Sequence, residues 1–198
     1  MHPSNLEPMI RLCAGQAPGQ PSLPSDAAAL LNWDGDVIPS LDILGSRVCV
    51  VASLNNSEHE RRQIEGSEGA LTDAWMLQLE EGRGTEIDAP AQWRPSPVII
   101  TGVLAIRQTW RAALTVASGF AAFCPRAVVL PKEEARSSRF RLEAGICGVG
   151  IISRDAGAAS LLQPPSPFAV SNVNRRLVHR VVEEAVYERL LADLVTTK

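Results

Sequence analysis

Lysine, tyrosine, histidine and paired cysteine are all scarce in this sequence, and each shortage closes off a class of chemistry. The only lysines are Lys132 and Lys198, and no G-K-[ST] run occurs, so a Walker-type phosphate loop is absent. His2, His59 and His179 stand far apart, with no H-x-x-x-H or H-x-C spacing, which argues against a zinc site or a Ser-His-Asp triad. Cys13, Cys49, Cys124 and Cys147 form no CxxC pair and read as small hydrophobes of a reduced, cytoplasmic protein. No stretch approaches the roughly 20 apolar residues a spanning helix needs, so no membrane association is expected. Met1 to Pro24 lacks a basic region followed by an apolar one, so no secretory signal is expected either.

What is present is alternation. From Pro97 to Ile152, short apolar runs take turns with helix-length segments. Val98-Ile99-Ile100, Ala127-Val128-Val129-Leu130 and Gly148-Val149-Gly150-Ile151-Ile152 are the runs. Between the first two, Ile106, Trp110, Ala113, Leu114, Ala117 and Ala121 recur at helical spacing, which predicts a helix with Trp110 in the core; residues 133–144 predict a second helix. This pattern predicts βαβ units. The fold class is therefore α/β: a single small domain with a mixed, largely parallel sheet flanked by helices.

Arg47–Ala52 and Trp75–Leu79 read as further strands, and Ser160–Leu162 as a short one. Residues 26–32 suit a short helix capped by Ser25 or Asp26, and the polar stretch 55–69 reads as a loop with room for one helical turn. Residues 1–25, with five prolines, read as an irregular arm, leaving 26–198 as the domain. The chain closes with an amphipathic helix at about 174–195, N-capped by Asn172 or Asn174. Leu177, Val178, Val181, Val182, Ala185, Val186, Leu190 and Leu194 share one stripe, which packs in cis or on a protein partner or second copy. Arg175, Arg176, Arg180, Glu184 and Glu188 fall on the opposite, solvent-directed face.

Charge is unevenly placed. Residues 1–91 hold 14 acidic and 5 basic side chains, whereas 92–154 hold 3 and 9. Almost all the positive charge is arginine, whose planar fork suits phosphate and carboxylate. Arg107 and Arg111 lie at the start of the first predicted helix, Arg136, Arg139 and Arg141 on the second, and Arg126 before the middle strand. With both helices on one side of the sheet, Arg107, Arg111, Arg136 and Arg139 would line a nucleic-acid-binding groove. Two apparent motifs carry less. Gly145-Ile146-Cys147-Gly148-Val149-Gly150 follows a helix and opens a strand, the reverse of a phosphate-cradling loop, and Asp34-Gly35-Asp36 lacks the later acids of a calcium loop and reads as a turn.

The element order from residue 70 to 152 resembles the restriction-endonuclease-like, PD-(D/E)xK superfamily. In that family one strand carries an acidic residue and the next an E-x-K pair, followed by helix, strand, helix and a glycine-flanked strand. The resemblance implies that Asp73, beside the Trp75–Leu79 run, stands where the metal-binding aspartate falls. The strand that would carry E-x-K reads Val98-Ile99-Ile100-Thr101-Gly102-Val103-Leu104-Ala105-Ile106, with neither acid nor lysine. The expectation is a non-catalytic, degenerate nuclease-like domain that binds nucleic acid or assembles with a partner that does. Two alternatives stand beside it: a Mg²⁺-dependent nuclease with ligands relocated to Asp73, Glu86 or Glu143, and a protein-interaction subunit of a larger complex. No metal or cofactor is expected outside the nuclease alternative.

Overall fold

The apolar runs form the middle of one six-stranded sheet. The structure is a computed structural model describing residues 22–66, 95–155, 158–167 and 177–196. Its strands are β1 (Asp36–Ile43), β2 (Ser46–Leu54), β3 (Val98–Ile106), β4 (Arg126–Pro131), β5 (Gly150–Asp155) and β6 (Ala158–Gln163), adjacent in chain order. β1, β2 and β3 pair antiparallel, β3, β4 and β5 pair parallel, and β6 returns antiparallel to β5. The sheet is mixed, with its parallel part at the predicted βαβ units. The helices are α1 (Leu23–Leu30), α2 (Asn56–Ile64), α3 (Trp110–Gly119), α4 (Lys132–Ala135), α5 (Ser138–Ile146) and α6 (Leu177–Thr196).

Alternation along each strand divides the core. Val50, Ala52, Val103, Ala105, Val128 and Ile151 face a layer in which α6 covers β1–β3 and α3, α4 and α5 cover β3–β5. Cys49, Leu104, Ala127, Val129 and Ile152 face the other way, toward α1. Buried on both faces, the central strands lack the polar alternation of a half-exposed strand, which explains their unbroken apolar sequence. Gly102 of β3 is required by contact: a Cβ there would stand 2.4 Å from the ring of Trp33.

Several local expectations are corrected. The first helix begins at Leu23 and is capped by Ser22, whose Oγ accepts from the Ser25 N–H, rather than by Ser25 or Asp26. Within 55–69 the helix runs over Asn56–Ile64, more than the single turn expected. Ile106 ends β3 instead of opening the next helix, so Arg107 precedes α3. The helix expected over 133–144 is broken at Arg136-Ser137, where the Ser137 hydroxyl accepts from the Phe140 N–H and starts α5. α6 packs on the sheet in cis. The Trp75–Leu79 run, Asp73, Glu86, Asp88, Asn172, Asn174, Arg175, Arg176 and almost all of the proline-rich arm lie outside the described residues.

Candidate nucleic-acid interface

The chain leaves β3, β4 and β5 at one edge of the sheet, the carboxyl edge, where open α/β sheets commonly present ligand-binding groups. Arg107 is the first residue beyond β3. Its N–H donates to the Val129 carbonyl (3.2 Å), and its guanidinium donates to the carbonyls of Ile106 (2.8 Å) and Arg47 (2.6 Å). Arg47, near the start of β2, pairs with Asp42 at 3.1 Å. Lys132, the residue after β4, pairs with Asp155 at the end of β5. That pair holds the Asp155 carboxyl below its ordinary range, first through the Lys132 hydrogen bond and charge, with a further contribution from Arg136. Three strand spacings separate β2 from β5, so the row spans about 14 Å.

The four arginines named from sequence are only partly brought together. Arg107 and Arg136 reach the carboxyl edge, Arg136 as the exposed residue after α4. Arg111 lies in the first turn of α3, its guanidinium over the Trp110 ring at 5.2 Å. Arg139 pairs with Glu143 at 2.9 Å along α5, which leaves it less available to a ligand. Trp110 is half-buried, not fully enclosed: its ring packs on Phe140 with centroids 5.7 Å apart, and its backbone N–H donates to Glu134 Oε2 at 2.9 Å. Arg126 serves the opposite edge, donating to the Cys147 carbonyl at 2.5 Å.

A second polar cluster went unread in the sequence. Arg180 and Glu184, assigned to the solvent-directed face of the last helix, are buried against α2. Both Glu184 oxygens accept from Arg62 (2.7 and 2.9 Å), and Arg180 Nε lies 3.0 Å from Glu184 Oε1. Arg62 Nε also donates to Glu58 at 3.0 Å, and Arg61 donates to both Glu58 oxygens. The Arg62 guanidinium lies over Tyr187, whose hydroxyl is 2.8 Å from His59 Nδ1. Burial pushes the Glu58 carboxyl up, but the hydrogen bonds and charges of Arg61 and Arg62 outweigh it and hold the group below its ordinary range. The i,i+4 spacings Glu58/Arg62 and Arg180/Glu184 were the available signals. Every carboxylate oxygen of Glu58 and Glu184 already accepts from a guanidinium, so the cluster is a strut between α2 and α6.

No protein-family model, curated protein or solved structure gives a significant match to this chain. Among the described residues no three His, Cys, Asp or Glu side chains come together as a metal group, and no helix is long and apolar enough to cross a membrane.

The described cysteines differ sharply in chemistry. Burial pushes the Cys49 and Cys124 thiols up to about 12, whereas Cys147 is exposed at the end of α5. In a Cys13→Ser protein, Ellman titration under native conditions is therefore expected to release one fast thiol equivalent, and the other two only on unfolding. Equal rates for all three would contradict the packing of β2 and of the segment leading into β4.

Proposed function

We propose that this chain is a degenerate, non-catalytic nuclease-like domain of the PD-(D/E)xK kind that binds nucleic acid along the sheet edge made by the carboxyl ends of β3–β5 and the start of β2. The observation that carries the reading is this edge. Arg47, Arg107, Arg111, Lys132, Arg136 and Arg154 stand there or in the adjoining first turn of α3, against Asp42, Glu133, Glu134 and Asp155. The excess is of basic groups, mostly planar guanidinium forks suited to phosphate oxygens. The alternation of strands and helices from β3 to β5, with two helices (α4 and α5) between β4 and β5, supports the nuclease-like assignment, and the neutral sequence of β3 supports the absence of catalysis. Two carboxylates and a lysine would be needed there to hold Mg²⁺ and activate water.

The test is binding and cleavage measured together on labelled DNA and RNA with Mg²⁺. Binding without turnover is expected, weakened in Arg107→Ala/Arg136→Ala and unchanged in Arg189→Ala, a charge-matched change on α6. Turnover abolished by Asp73→Ala would replace this reading with a metal-dependent nuclease. Absence of binding would leave the interaction-subunit reading.

A further inference from the structure

We propose that the site prefers single-stranded nucleic acid, with the Arg111 guanidinium as a stacking surface for an unpaired base. The inference rests on the nucleic-acid reading above and adds a ligand form and a residue role to it.

It starts from a layered arrangement running from the core to the surface. Phe140 is fully enclosed beneath α3 and α5. Trp110 packs on it at 5.7 Å with the rings 33° apart, and is half-buried. Arg111 lies over the Trp110 ring at 5.2 Å, within the reach of a cation–π contact, and is exposed. Phe140 packs against the Trp110 ring, and Glu134 accepts from the Trp110 backbone N–H, which fixes the start of α3 from which the ring projects. Arg111 has no carboxylate partner among the described residues, so the aromatic face is its anchor.

A guanidinium in this position puts a planar, exposed cation beside the basic edge. Unpaired bases stack on aromatic rings and on arginine planes, while a duplex keeps its bases stacked on each other and offers no free base face. Charge alone would not distinguish the two forms in this way. Planarity would, and lysine supplies charge without it.

Fluorescence anisotropy with a labelled oligo(dT) and a duplex of equal length separates these terms, comparing wild type with Arg111→Lys. Wild type should bind the single strand more tightly. Arg111→Lys, with an unchanged melting temperature, should lose roughly tenfold in single-strand affinity and keep its duplex affinity and salt dependence. If wild type binds both forms and Arg111→Lys matches it on the single strand, or if the duplex is preferred, the stacking role is overturned while the nucleic-acid reading stands. If wild type binds neither form, both fall.

Discussion

Arg62→Ala should destabilise the fold by about 3 kcal/mol, the cost of removing one of the guanidinium partners of each of two buried carboxylates. Arg62 is 2 % exposed and serves two carboxylates, Glu58 on its own helix and Glu184 on α6. Removing it leaves Glu184 with Arg180 and Glu58 with Arg61, and opens the contact over Tyr187. Urea denaturation of wild type and variant measures the loss. Acid should reveal the same network. Because the folded Glu58 carboxyl lies below its ordinary range, its contribution is fully present above the unfolded value and is lost as pH falls through the folded one. Stability should hold from neutrality to about pH 5 and decline below it. A loss under about 1 kcal/mol for Arg62→Ala would mean that water screens the network as it does a surface pair.

Phe140→Ala should cost about 3–5 kcal/mol, from lost transfer energy and the cavity left beneath α3. Phe140 is fully enclosed and joins Ala113, Ala117, Val128, Leu130 and Ala144 in one cluster. Most of these neighbours are small, so the ring supplies much of the local volume. Phe140→Leu, which keeps most of that volume, should cost less than about 2 kcal/mol. Equal losses for the two variants would indicate that the ring's contact with Trp110, rather than volume, sustains the site. Either large loss is a substantial fraction of a domain's total stability.

The parts of the fold legible in the sequence are those where burial is two-sided. β3, β4 and β5 show as apolar runs because neither face meets water, and their connecting helices follow from the spacing between them. β1 was missed because Pro39, Asp36 and Asp42 interrupt its pattern; these suit an edge strand, and the pairing slips between Ile38 and Leu41. Only one turn of α2 was legible, for a different reason: its inward face is made of Glu58 and Arg62, so no apolar stripe marks it. The same network explains the misplacement of Arg180 and Glu184. Amphipathic reasoning sends charge outward, and only a partner 122 positions away in the chain reverses it. Arg107 was misassigned by one turn, since Ile106 continues the strand rather than starting the helical stripe. Of the four named arginines, Arg139 was weakened as a candidate by the i,i+4 pair with Glu143, which the sequence itself displays.

The most direct test of the central claim is the salt dependence of single-strand binding. Four phosphate contacts would give a log–log slope of about −3 to −4, but Arg139 is engaged with Glu143, leaving Arg107, Arg111 and Arg136. Three contacts on a single strand predict a slope of about −2, so raising salt from about 50 to 200 mM should weaken binding roughly twentyfold. Replacing all three with alanine should flatten the slope, leaving only what Arg47, Lys132 and Arg154 supply. A wild-type slope near zero, or one that the triple variant leaves unchanged, would contradict a phosphate-binding carboxyl edge.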